Sequence, residues 1–215
     1  YNEKVLEEEF KECVGGNLKD FTVLDAFDSL FLNGKANQEA QNPSKYLLYQ
    51  DPMAGTFDQE VVKSGVDTGA YYKKLKKMME IRQENSPEYA ALFAYYEKLA
   101  AVLADKADLG VRMKAAYDKK QLLALKEICE KEIPETIQNL EKMKILREDL
   151  WISEAKPFGY ELMDVKLGAV ITRLNSTIRR IKKYLDGSIP CLEEMEETRL
   201  PCFEKSADKR ENRWS

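Results

Sequence analysis

Apolar residues recur at intervals of three and four through most of this chain, and no stretch alternates in twos over a strand's length. That spacing puts one apolar stripe on an α-helix and nothing coherent on a strand, so the chain reads as all-α. The strongest run is Tyr89, Leu92, Phe93, Tyr96, Leu99, Ala100, Leu103, Ala107, Gly110 and Val111. It predicts one helix from Pro87 to Tyr117, a rod of roughly 45 Å at 1.5 Å per residue, which needs long partners beside it.

The partners follow from the same pattern. Asp67 starts a helix through Tyr71, Leu75, Met78 and Met79 to about Gln83, and Asn85-Ser86-Pro87 closes it and opens the next. Leu122, Leu125, Ile128 and Cys129 mark another, which Pro134 kinks or restarts before Ile137, Leu140, Leu146, Leu150 and Trp151. After the Lys156-Pro157-Phe158-Gly159 break, Leu162, Val165, Ala169, Leu174, Ile178, Ile181 and Leu185 define a last long helix stopped at Gly187.

The N-terminal third is different. Asn2 caps a short helix with Val5, Leu6, Phe10 and Cys13 on one face, ended by Gly15-Gly16, and Asp20 or Thr22 caps a second. From Asn33 to about Thr68 breakers replace periodicity, among them Gly34, Asn42-Pro43, Asp51-Pro52, Gly55 and Gly65. The expected architecture is therefore an all-α antiparallel bundle of long helices with a loop-rich N-terminal third. Residues 1–66 form a helical connector with an aromatic, proline-flanked loop at 42–58. Residues 67–199 form the bundle, with a short acidic helix at 190–199, and residues 200–215 an irregular charged tail. The Tyr1-Asn2-Glu3-Lys4 start has neither an initiator Met nor a signal-peptide pattern, so the chain reads as a piece of a longer protein.

Several chemistries are excluded by residue type. The chain has no histidine, which removes Ser-His-Asp and Cys-His catalysis and the usual transition-metal sites, so no metal and no cofactor is expected. Cys13, Cys129, Cys191 and Cys202 are far apart and form no C-x-x-C, so they read as reduced structural thiols and point toward the cytoplasm. The net charge of -4 provides no basic field for nucleic acid, and no apolar run reaches the length of a membrane span. Val14-Gly15-Gly16-Asn17 follows a helix and reads as its cap, not a phosphate loop. The glutamates at 7–9, 193–194 and 196–197 read as solvated faces, and Arg179, Arg180, Lys182 and Lys183 as cations complementing a helix C-terminus.

Two segments hold the candidate functional residues. The loop at 42–58 is aromatic and flanked by prolines, and either packs internally, docks another domain or lines a pocket. Trp151 through Asp164 combines a tryptophan, a lysine, a Pro-Phe-Gly break and an aspartate, either as a satisfied polar cluster or as a ligand site.

Asn-Pro-Ser-Lys-Tyr-Leu-Leu-Tyr-Gln-Asp-Pro at 42–52, Ala-Asp-Leu-Gly-Val-Arg at 107–112, Lys-Pro-Phe-Gly-Tyr-Glu at 156–161 and Tyr-Leu-Asp-Gly at 184–187 occur in that order. Together with Leu6 to Cys13, Asp20-Phe21 and Asn212-Arg213-Trp214, they resemble the C-terminal helical domain of bacterial family 20 glycoside hydrolases, the β-N-acetylhexosaminidases. Tyr49 stands where that family commonly has Trp, and Lys166 and Ala169 where it has Arg and Gly. The resemblance implies a parent enzyme that removes terminal β-linked N-acetylhexosamine from glycans. Its catalytic Asp-Glu pair would lie on an upstream (β/α)8 barrel absent from this chain, so the chain alone is expected to be inactive. It further implies a structural role, supporting the barrel and forming a homodimer. Tyr46, Tyr49, Gln50 and Asp51 would face the barrel, and Trp151, Lys156, Phe158, Asp164 and Arg173 would form a second contact area. The alternative is an autonomous helical module for binding another protein.

Overall fold

The computed structural model describes residues 2–32 and 41–202, and among them every regular element is helical. In chain order they are α1 (Glu3–Val14), α2 (Leu18–Thr22), a 3-10 turn (Val23–Asp28), α3 (Pro43–Tyr49), α4 (Asp58–Ser64), α5 (Thr68–Asn85), α6 (Ala90–Lys106) and α7 (Leu109–Asp118). They continue with α8 (Leu122–Glu127), a π turn (Ile128–Glu132), α9 (Ile133–Glu154), α10 (Glu161–Leu185) and α11 (Glu193–Glu196).

The all-α expectation holds, and α6 is its centre. Its Leu99–Ala104 stretch is apolar on every side and wholly buried, which a helix tolerates only when neighbours surround it. Those neighbours are α5, α9 and α3. The first turn of α5 meets the last turn of α6, where Gly69 lies so close to the Ala104 carbonyl that an added Cβ would stand 3.3 Å from it. Further along, Lys76 reaches Glu97 at 3.3 Å. On the other side Arg147 of α9 stacks over the Tyr95 ring of α6, 5.6 Å from its centroid. α10 then covers α9 and α8, and the Cys129 thiol meets the Ile178 carbonyl at 3.5 Å. One core runs through all of these, and Phe27, Leu47, Met53 and Val61 from before residue 66 belong to it. No disulfide joins the four cysteines.

Four boundaries depart from the sequence reading. The rod expected over 87–117 breaks at Ala107-Asp108 because side chains take the carbonyls that its next turn would need: Arg112 donates to Asp105 O at 2.8 Å and Gln50 to Ala107 O at 3.5 Å. The second helix is capped by Asn17, whose side chain accepts from Lys19 N at 3.0 Å, and not by Asp20 or Thr22. Asp20 is instead buried, accepting from Ser86 Oγ at 3.0 Å.

The breaker-rich segment contains two helices. Pro43 opens α3, since a first-turn residue needs no N–H, and Asp28 accepts from Ser44 N and Oγ at 3.0 and 2.6 Å. Gly65, at φ +64°, ends α4. Finally, the acidic helix expected over 190–199 is only the single turn α11. At Pro134 the missing N–H widens the chain into the preceding π turn without ending it. Residues 33–40 of the breaker segment and 203–215 of the expected tail, with Asn212 to Trp214, lie outside the described residues.

Gly110 shows how closely α7 approaches the loop after α3. A Cβ there would lie 2.6 and 2.8 Å from the Asp58 carboxylate oxygens and 3.0 Å from the Pro52 carbonyl. Gly110→Ala is expected to destabilise the protein by about 1–3 kcal/mol, because overpacking against a buried carboxylate and backbone outweighs the small helix-propensity gain in a first turn. Urea denaturation checks this, and an unchanged or raised midpoint would contradict it.

Candidate functional site

A concavity lies where the end of α3 meets α10. Tyr49, Gln50, Asp51 and Pro52 form one wall, Val165, Lys166, Ala169, Val170 and Arg173 the other, and the cleft encloses about 220 Å³. Lys106 positions the first wall. Its ammonium group is completely buried and caps the C-terminus of α3, donating to Leu47 O at 3.0 Å and Gln50 O at 2.6 Å. Burial lowers its pKa to about 7, against the opposing pull of the Asp51 and Asp58 charges.

Gln50 continues the scaffold: its side-chain oxygen accepts from Phe57 N at 3.1 Å while its amide nitrogen donates to the Ala107 carbonyl just past α6. Asp51 crosses to the other wall. Arg173 donates to Asp51 Oδ2 through Nε at 2.7 Å and lies 2.7 Å from it through a second guanidinium nitrogen, while Asp51 Oδ1 accepts from Met53 N at 3.0 Å. The one carboxylate lining the cleft is thus neutralised and held in place.

Behind this wall Asp58 is nearly enclosed, pressed by Gly110 on one side and Gly55 on the other. Burial raises its carboxyl to about 6, opposed first by Arg199 and then by Lys106. Arg199 Nε stands 3.5 Å away, and its guanidinium also donates to the Ala54 carbonyl. Next to it, Cys202 N donates to Glu60 Oε1 at 2.7 Å, so residues 199–202 strap the loop from outside.

The candidate residues therefore separate. Tyr49, Gln50, Asp51 and Arg173 meet at the cleft, although the sequence placed Arg173 with the second group. Tyr46 turns away from it and stacks on Phe57 with centroids 4.4 Å apart, its hydroxyl pKa raised mainly by burial. Gln50 and Asp51 are buried inside this domain, and Tyr49 carries the aromatic surface of the cleft.

Trp151, Lys156, Phe158 and Asp164 gather at the α9–α10 turn, with Asp164 about 14 Å along the helix from Arg173. There the Trp151 indole donates to Lys156 O at 2.8 Å and lies 5.9 Å from Tyr160, and Asp164 pairs with Lys144 at 3.0 Å. Lys106, Asp58 and Arg199 were missed. Lys106 had a signal: one turn after Val102 and Leu103, in a helix apolar all round, a lysine has no route to water.

Among the described residues no cluster of Cys, Asp or Glu is arranged to hold a metal ion, and no helix is long and apolar enough to cross a membrane. A model of the family described as Glycoside Hydrolase 20C C-terminal domain matches residues 19–214. No curated protein matches the chain.

The unfolded chain holds the Lys106 proton up to its ordinary pKa of 10.5, whereas the folded chain releases it at about 7. Between those values the unfolded state binds more protons, so this residue adds stability as pH rises from about 7 toward 10.5, and that gain is lost again as pH falls back to 7. The stability difference between wild type and Lys106→Met is expected to move in favour of wild type from pH 7 to 10, by at most about 1.4 kcal/mol per pH unit. Chemical denaturation of both proteins across that range checks it, and a flat difference would contradict it.

Proposed function

This chain belongs to the glycoside hydrolase 20C C-terminal domain family, and from that premise we propose that it is the non-catalytic helical domain of a bacterial β-N-acetylhexosaminidase. The parent enzyme removes terminal β-linked N-acetylhexosamine from glycans on a barrel elsewhere in the same polypeptide, and the helical domain supports that barrel. Family membership makes this a C-terminal domain, which implies a catalytic domain in the same chain.

The observation that carries the non-catalytic part is the state of the cleft's carboxylate. Glycoside hydrolysis on enzyme groups needs two carboxyl groups, one of them able to give up a proton to the leaving oxygen. Here the lining offers Asp51 alone, locked to Arg173 and to the Met53 amide. Both of its oxygens are already engaged, Oδ2 by the Arg173 guanidinium and Oδ1 by the Met53 N–H, so neither is presented to a leaving group in the cleft. Asp58, whose carboxyl is raised, sits behind the wall against two glycines and does not line the cleft. Both arrangements fit a part that fixes the position of other parts.

Self-association of the helical domain is the second role, and the exposed Ile81 and Ile145 side chains offer it apolar contact area. The alternative of an autonomous interaction module needs no catalytic domain in the polypeptide, and is disfavoured by the family to which the chain belongs.

The test is hydrolysis of a chromogenic N-acetyl-β-glucosaminide by the 215-residue chain and by the full-length parent. The parent is expected to turn the substrate over and the isolated chain to be inert. In the parent, Asp51→Asn is expected to lower thermal stability and leave kcat unchanged. Turnover by the isolated chain, or loss of kcat in folded Asp51→Asn enzyme, would overturn the reading.

A further inference from the structure

α10 carries two apolar faces. One, with Leu167, Val170 and Leu174, is buried within the bundle. The other starts at Phe158 in the turn before the helix and continues through Leu162, Val165 and Ala169, spaced four, three and four apart. Phe158 is 82% exposed, Leu162 62% and Val165 69%. This seam runs directly into the cleft, since Val165 and Ala169 are also its lining, opposite Tyr49 and Pro52.

We infer that this seam, from Phe158 to the cleft beside Tyr49, is the surface on which the catalytic domain of the same polypeptide docks. The inference rests on the reading of this chain as the supporting domain of a larger enzyme.

The seam is built rigidly. Trp151 is tied to the Lys156 carbonyl, Gly159 takes the left-handed conformation at φ +95° and donates to Glu161 at 2.7 Å, and the Tyr160 hydroxyl donates to Lys144 O at 3.0 Å. Phe158 is thus held outward on a fixed turn, with the ordering cost of an anchor residue already met in folding. The cleft that continues the seam accepts one large apolar side chain. Lys166, exposed at its edge, favours a carboxylate beside that side chain.

Topology identifies the occupant. The Tyr89 hydroxyl, just before α6, donates to the Val14 carbonyl at the end of α1. The Arg147–Tyr95 contact sets the end of α9 beside the start of α6. The end of α1 and the Phe158 turn therefore share one end of the bundle, and α1 precedes the residues matched as the C-terminal domain, so with the catalytic domain upstream it is the element nearest that domain in sequence. α1 buries none of its residues in the bundle, and its Val5 and Leu6 remain exposed. Two uncovered apolar helix faces thus lie at the end where the upstream domain joins.

Area favours the same occupant over a second copy. The seam exposes on the order of 400 Å² of side-chain surface, about half of what each partner contributes to a standard stable interface. A tethered domain, present at an effective concentration in the millimolar range, needs less area than a free partner does.

Hydroxyl-radical footprinting of the full-length enzyme tests this, with rates corrected for the intrinsic reactivity of each residue type and exposed Leu123 as the internal reference. Phe158 and Leu162 are expected to be oxidised several-fold more slowly than Leu123 at every protein concentration, and Val165→Asp to restore their oxidation while the helical circular dichroism is retained. Oxidation of Phe158 as fast as Leu123 would overturn the proposal. Protection that appears only as concentration rises would overturn it too, by assigning the seam to a second copy. If the seam is unprotected and yet deletion of this domain destabilises the barrel, the supporting role stands and this surface falls.

Discussion

The Lys106 ammonium group, buried under the C-terminus of α3, is the contact on which the rest of the arrangement depends. It sits at the end of the central helix and donates to the Leu47 and Gln50 carbonyls at the C-terminal end of α3, so it joins the bundle to the loop-rich segment that precedes it. Burying a lysine is costly unless its hydrogens are met and its charge is balanced. Both requirements are satisfied by neighbours from separate parts of the chain: α3 provides the acceptors, and Asp51 and Asp58 the opposing charge. Because Gln50 and Asp51 follow α3 immediately, the cleft wall takes its position from the same contact. The Asp51–Arg173 pair then carries that order across to α10.

Much of the fold was legible in the residues, for reasons that show where legibility stops. Asn2, Gly15 and Asp67 marked helix ends because a cap is chemistry between residues two to four apart, within reach of any local reading. The run from Tyr89 to Leu103 announced a helix with long partners because apolar residues three and four apart leave a stripe that must be covered. The break at Ala107 was not legible, since it depends on Gln50 and Arg112 occupying carbonyls of the preceding turn, and Gln50 is 57 positions away in the chain. Pro43 looked like a breaker and is a helix start, because the Asp28 carboxylate that accepts from the following Ser44 comes from another element.

The candidate site divides along the same line. Asp51 and Arg173 were both singled out but assigned to different areas, and nothing in a spacing of 122 residues relates them. Asp58 and Arg199 carried no local mark at all. What distinguishes this molecule is that Asp51, Asp58 and Lys106 beside the cleft are buried and partnered within the domain, whereas large apolar groups on α1 and α10 are left in water. An enzyme active site inverts that distribution, holding titratable groups free toward solvent or substrate. A part whose polar chemistry is internal and whose unfinished surface is apolar is shaped to be completed by a neighbouring domain.

Differential scanning calorimetry of the full-length enzyme tests that completion most directly. If the helical domain supports the catalytic domain through a shared apolar surface, both unfold in one cooperative transition. That transition splits, with the catalytic part melting at lower temperature, when the seam carries a charge. Two independent transitions in the wild-type enzyme, each matching a domain melted by itself, would contradict the account.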